Sequence, residues 1–146
     1  RERGGHHGRG GPGGGIEHLA HPDRIDGVAD RIGLDDATVK RIKDIVYDAH
    51  KEEIQLKAAM KTARVDLRRA LDDDAPDRAK VMRLVERVGD AGVKHQQHRI
   101  GTMLDIRALL TPDQVKQLNQ MRRERRMHRK KKRKMRRERR ERREED

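Results

Sequence analysis

Residues 67–81, LRRALDDDAPDRAKV, decide the fold because they join two long stretches of helical periodicity through a very short break. From Asp35 to Leu71, apolar side chains recur at alternating spacings of three and four residues, which is typical of one long helix with a narrow apolar seam. A second pattern of this kind runs on to about Leu110. The acidic run and Pro76 end the first helix and open the second. Because so short a connection places the helices side by side, the sequence predicts an antiparallel helical hairpin.

The composition agrees with an all-α fold and excludes several classes of protein. The chain has 146 residues, of which 44% are charged, and Tyr47 is its only aromatic residue. Sandwiches and barrels need aromatic and β-branched strands, and a membrane span needs an apolar run of about 20 residues, so neither fits. The absence of Cys excludes disulfides and thiolate metal sites. With neither Ser nor Cys as a nucleophile and no phosphate-binding loop, we expect no enzyme activity.

A third helix begins at the sequence LTPDQ, residues 110–114. Thr111 can cap that helix while Gln114 reaches back to it, which is the pattern of a capping box. A weaker copy, LDDAT at residues 34–38, stands at the start of the first long helix with an Asp as its cap. The motif residues are therefore Leu110, Thr111, Gln114, Leu34, Asp35 and Thr38.

Three regions follow from these patterns. Residues 1–21 are rich in Gly and His and are predicted to be disordered, because they have little apolar surface to bury. Residues 22–121 form the helical domain. Residues 122–146 hold 16 basic and six acidic residues and carry most of the net charge of +12, so they form a basic tail or a solvated helix extension.

Histidine is the commonest metal ligand, and two groups of histidines stand out. In the hairpin, residues whose numbers add up to about 147 lie level with one another. By this rule His50 and Glu53 lie level with His95 and His98. Three imidazoles and one carboxylate therefore meet, and this set of ligands suits Zn²⁺, with Cu²⁺ or Ni²⁺ as alternatives. The other interpretation is a solvated gap in which the carboxylate pairs with a neighbouring Lys or Arg. The hairpin group is His50, Glu53, His95 and His98, and the group at the N-terminus is His6, His7, His18 and His21.

The basic tail invites a second interpretation, as a surface for a polyanion. Clusters of Lys and Arg attract phosphate backbones and anionic headgroups, but no aromatic residue is present there for base stacking. A solvated charged helix explains the same residues equally well. The densest cluster consists of Arg129, Lys130, Lys131, Lys132, Arg133 and Lys134.

The two motifs and the acidic turn between them resemble the Spy/CpxP family, the LTxxQ-motif proteins of the bacterial periplasm, which include zinc-resistance-associated and heavy-metal-sensor relatives. The first motif departs from the family in having Asp35 and Thr38 where the family has Thr and Gln. The sensor branch has a His and a Met before the second motif, whereas this chain has Thr102 and Ile106, so that metal site is not carried over.

This resemblance implies a curved all-α homodimer without a membrane span. It also implies that the protein is in the periplasm and that its signal peptide has been removed. It also implies a role in the stress response, as an ATP-independent chaperone or adaptor for unfolded client proteins or an envelope sensor, with zinc binding. Two alternatives remain open: a periplasmic heavy-metal sensor, and a protein that binds nucleic acid or another polyanion through its basic tail.

Overall fold

The computed structural model describes residues 15–145, and side chains as far as residue 142. Two short 3₁₀ turns, Ile16–His18 and Pro22–Arg24, are followed by four α-helices: α1 (Ile25–Ile32), α2 (Asp36–Leu71), α3 (Arg78–Ala108) and α4 (Pro112–Glu145). Helices α2 and α3 pack along each other as the predicted antiparallel hairpin. The described part of the chain contains no strand, so the all-α prediction is confirmed. None of its helices is long and apolar enough to cross a membrane.

Aspartates cap both long helices of the hairpin. The Asp35 carboxylate accepts a hydrogen bond of 2.7 Å from the Thr38 N–H. At the start of α3, Asp77 accepts from the N–H groups of Ala79 and Lys80 at 2.9 and 3.3 Å. Pro76 therefore lies just before the capping residue Asp77, outside the helix that it was expected to open. Asp77 takes the capping position because its carboxylate satisfies two N–H groups that have no partner within the helix.

The LTPDQ motif forms the predicted capping box and also makes a tertiary contact. The Thr111 N–H donates to Gln114 Oε1 at 2.9 Å, and the Gln114 N–H donates to Thr111 Oγ1 at 3.2 Å. The Gln114 side-chain amide also donates to the Gly33 carbonyl at 3.3 Å. Gly33 ends α1 in the left-handed region, with φ of 69°. Gln114 thus starts α4 and ties it to the end of α1.

The apolar core lies at the open end of the hairpin and begins earlier in the chain than predicted. Residues 15–21, predicted to be disordered, pack there, and both Ile16 and Leu19 are buried. These two side chains pack against α3 and α4. The apolar surface that they bury offsets the conformational entropy lost when the segment is ordered. Residues 1–14, with His6 and His7, lie outside the described residues. The core consists of Ile16, Leu19, Ile25, Val28, Ile32, Ile42, Val46, Ile106, Leu118 and Met121.

Gly15 seats this N-terminal segment directly on the backbone of α4. Its N–H donates to the Asn119 side-chain oxygen at 3.1 Å. A Cβ at this position would collide with the Leu118 carbonyl, so only glycine allows this approach.

We therefore expect opposite effects from two Gly→Ala substitutions. Gly15→Ala should lower the free energy of unfolding by about 1–3 kcal/mol, because the methyl group forces backbone atoms apart. Gly89→Ala, in the interior of α3 with open space around it, should raise that energy by about 0.5–1 kcal/mol. Urea unfolding followed by circular dichroism measures both, and an unchanged midpoint for Gly15→Ala would show that the segment does not seat on α4.

Helix α4 continues through the basic tail. The sequence left open whether residues beyond Met121 form a helix, and the structure shows one as far as Glu145. Side-chain pairs four residues apart support it, with Arg137 Nε 2.7 Å from Glu141 Oε1 and Lys134 Nζ 3.8 Å from Glu138 Oε1.

Candidate metal centre

A cavity of about 490 Å³ lies beside the core, between the hairpin and the N-terminal segment. Both predicted groups of histidines contribute side chains to its lining, so two sites that were expected to be separate lie in one cavity. The cavity also contains basic side chains from four different elements. Its polar lining consists of Glu17, His18, His21, Arg24, His50, Glu53, Lys57, His95, His98, Arg99, Thr102 and Arg129.

Glu53 lies at the centre of the hairpin group. Its carboxylate is 3.9 Å from His50 Nδ1 on the same helix and 3.5 Å from His95 Nε2 on α3. Lys57 Nζ is closer still, at 2.9 Å from Glu53 Oε1. The antiparallel register therefore brings the predicted residues together, and the alternative pairing of Glu53 with a neighbouring Lys is also present. Burial is the largest influence on the pKa of Glu53 and raises it, but Lys57 and then His95 outweigh burial and leave that pKa below its ordinary value.

His98 is held by two oxygen atoms. Its Nε2 lies 2.9 Å from the Ala49 carbonyl, which can only accept, so Nε2 carries a hydrogen. Its Nδ1 lies 3.3 Å from a carboxylate oxygen of Glu52. The backbone carbonyl orients the ring so that Nδ1 could ligate a metal once the Glu52 carboxylate gives way. Glu52 was not predicted from the sequence, because Glu53 was the residue that broke the apolar seam.

His18 brings a neutral imidazole to the cavity. Its Nδ1 lies 3.3 Å from Arg125 Nη1, which can only donate, so Nδ1 accepts and Nε2 carries the hydrogen. Burial, and after it the charge of Arg125, lowers the pKa of His18 below 6.5. The Nε2 atom is buried and has no hydrogen-bond partner among the described residues.

The donor set suits a transition metal, although the side chains are not yet arranged around one position. Across residues 15–142, no group of three His, Asp or Glu side chains is placed to hold a metal ion as it stands. Lys57 forms an ion pair with the Glu53 carboxylate, which such an ion would need as a ligand. His95 Nε2, however, is buried, and its contact with Glu53 Oε1 at 3.5 Å is at the limit of a hydrogen bond, so this imidazole nitrogen could exchange that contact for a metal.

The remaining residues that the sequence singled out are not placed as metal ligands. Thr102, which occupies the position of the sensor-type His, donates its hydroxyl hydrogen to the His98 carbonyl at 2.9 Å, and Ile106 is fully buried. Lys130–Lys134 are exposed on α4, whereas Arg129 lines the cavity. The role of Arg129 could not be predicted from its neighbours in sequence, because it depends on the path that α4 takes past the hairpin.

The chain matches a protein-family model over most of its length. A model described as heavy-metal resistance matches residues 2–117, which includes the Gly- and His-rich start, the hairpin and the LTPDQ motif. The chain belongs to the heavy-metal resistance family. This family is related to the LTxxQ proteins that the motifs resemble. No curated protein and no solved structure shows significant similarity to the chain.

Proposed function

We propose that this heavy-metal resistance protein binds a divalent transition metal, zinc in the first place, in the cavity. The observation that carries the proposal is the Glu53 carboxylate, which faces imidazoles from both helices of the hairpin. Zinc takes four ligands of this kind in a tetrahedron. The residues that would hold it are His50, Glu53, His95 and His98, with His18 and His21 lining the same cavity.

Binding requires two changes in side-chain contacts. Lys57 must leave Glu53, and His98 Nδ1 must exchange the Glu52 carboxylate for the ion. The Ala49 carbonyl would keep the His98 ring in the correct tautomer throughout. The ion would then join α2 to α3 and stabilise the folded hairpin in proportion to its concentration over its dissociation constant.

Lys57 is therefore the residue whose removal should tighten metal binding. We expect Lys57→Gln to raise the Zn²⁺ affinity about tenfold, because the ion no longer competes with a cation for Glu53. Lys61→Gln, one turn further along α2 and outside the cavity, removes the same charge and should leave the affinity within about twofold. Calorimetric titration of the full chain measures both constants.

Two further variants identify the ligands. His95→Ala/His98→Ala should abolish the rise in melting temperature that Zn²⁺ produces in the parent protein. Deletion of residues 1–14 removes His6 and His7 but keeps the buried Ile16 and Leu19. Loss of binding only upon this deletion would place the metal outside the cavity and overturn the proposal.

We also propose that the chain acts in the periplasm as a Spy/CpxP-like stress protein, in the form of a homodimer with chaperone activity. Apolar side chains on the outer sides of the hairpin support this. On α2, exposed residues recur at spacings of seven and eleven, close to whole helical turns, and α3 shows a similar series. Exposed apolar surface of this extent is typical of interaction sites. The two series, here called the apolar stripes, are Tyr47, Ile54 and Val65 on α2 and Met82, Val93, Ile100 and Leu104 on α3.

A charge placed on the apolar stripes should impair both activities. Ile54→Lys/Ile100→Lys is expected to weaken suppression of client aggregation at least threefold and to shift a dimer toward monomer, with helicity unchanged because both sites are exposed. Gln55→Lys/Ala59→Lys adds the same charge at two exposed positions on another side of α2 and serves as the control. Light scattering of a denatured client and sedimentation measure the two effects. Equal suppression by both variants would remove the stripes from the mechanism.

The same cavity is compatible with a sensor. A metal held by hairpin histidines together with His18 or His21 would fix the N-terminal segment against the hairpin. Such an ordering step is what a membrane partner could detect. Amide hydrogen exchange of residues 15–24 with and without Zn²⁺ distinguishes a sensor from a chaperone. Only the sensor requires Zn²⁺ to increase the protection of that segment.

A second candidate function, polyanion binding, is favoured by the pattern of arginines on α4. Between residues 122 and 140, the positions that share one side of the helix, at spacings of three and four residues, are all Arg, whereas the lysines and the glutamates of that stretch lie on other sides. The side extends about 27 Å at the rise of an α-helix. Arg is preferred to Lys where phosphate is bound through two hydrogen bonds. This arginine face consists of Arg122, Arg125, Arg126, Arg129, Arg133, Arg136, Arg137 and Arg140.

Two quadruple variants with the same loss of charge test the arginine face against charge alone. We expect the Arg variant to lose at least tenfold in affinity for a DNA duplex at low salt and the Lys variant to lose clearly less, because only the former removes bidentate phosphate donors. Fluorescence anisotropy of labelled DNA measures both, and equal losses would show that net charge alone matters. The variants change Arg133, Arg136, Arg137 and Arg140, or Lys130, Lys131, Lys132 and Lys134, to Gln.

A further inference from the structure

The mouth of the cavity carries positive charge that the fold does not neutralise. Arg24 comes from the second 3₁₀ turn, Arg99 from α3 and Arg129 from α4, and all three line the cavity and are exposed. Within residues 15–142, none of them forms an ion pair with an acidic side chain. Three guanidinium groups from separate elements that line one cavity favour an anion there.

The carboxylates of the cavity cannot supply that anion, because each is already paired. Glu53 is bound by Lys57 at 2.9 Å. Glu17 lies 3.7 Å from Arg122, a residue that does not line the cavity. Three guanidinium groups therefore face the cavity with no countercharge of their own.

His18 adds a neutral donor to the same place. Because its Nδ1 accepts from Arg125, the hydrogen is on Nε2, and that buried N–H has no acceptor among the described residues. A buried donor without a partner is costly and rare in folded proteins. An oxygen atom of a ligand in the cavity would accept a hydrogen bond from this N–H.

We propose that the mouth of the cavity binds a phosphate-type tetrahedral oxyanion, held by Arg24, Arg99 and Arg129. Guanidinium groups match the oxygens of phosphate in pairs, and the His18 Nε2–H provides a further donor. A volume of about 490 Å³ also leaves room for a small ester of the anion. The oxyanion site does not require a bound metal, since none of its donors is among the four hairpin ligands.

The test uses the full chain after treatment with a chelator, titrated calorimetrically with sodium phosphate at constant ionic strength. We expect saturable binding that Arg24→Gln/Arg99→Gln weakens at least tenfold. The matched control, Arg31→Gln/Arg83→Gln, removes two exposed arginines from α1 and α3 outside the cavity and should stay within twofold of the parent. All four side chains are exposed, and circular dichroism verifies that both variants remain helical.

Two results would overturn the proposal: no saturation with phosphate in the parent protein, or an equal loss of affinity in the two double variants. A parallel titration with glycerol phosphate identifies the source of the anion, since tighter binding of the ester indicates a phosphomonoester and weaker binding a free oxyanion. Zn²⁺ binding without phosphate binding would refute the oxyanion site and leave the metal proposal intact. Phosphate binding without Zn²⁺ binding would do the reverse.

Discussion

The burial of Ile16 and Leu19 is the constraint on which the rest of the site depends. These side chains hold the N-terminal segment on the open end of the hairpin, and each contributes about 1.5–3 kcal/mol of apolar burial. Gly15 allows the close approach to α4 that this packing requires. The cavity exists because the segment forms one of its walls and places His18 and His21 opposite the hairpin histidines. Without it, His50 and His95 would line an open groove between two helices.

Electrostatics divide this cavity into two parts with different chemistry. The hairpin lines it with imidazoles and one carboxylate, which suit a cation, and three exposed arginines from other positions line it as well and suit an anion. Fixed positive charge at the mouth opposes the approach of a divalent cation, and Lys57 opposes it again at Glu53. An anion at the mouth would reduce that repulsion. By thermodynamic linkage, each ligand would then increase the affinity of the protein for the other.

The sequence predicted what depends on neighbouring residues and on the register of the hairpin. Helix periods, the Asp35 cap and the Thr111–Gln114 capping box are local patterns, and the turn after Leu71 determines which residues of α2 and α3 meet. It did not predict the packing of residues 15–21, because abundant glycine obscured two apolar side chains among them. Nor did it indicate that Arg129 reaches the cavity. That contact depends on the direction of α4, which tertiary packing around Leu118 determines.

The basic helix and the cavity are joined through the same N-terminal segment. Arg122 lies 3.7 Å from Glu17, and Arg125 lies 3.3 Å from His18. The first arginines of the arginine face therefore bind the segment, while those further along α4 are exposed. A polyanion that recruits Arg125 would remove the donor that fixes the hydrogen of His18 on Nε2. Because a ligand in the cavity would use that same Nε2–H, binding along α4 and occupancy of the cavity would both act on His18 and would be coupled through it.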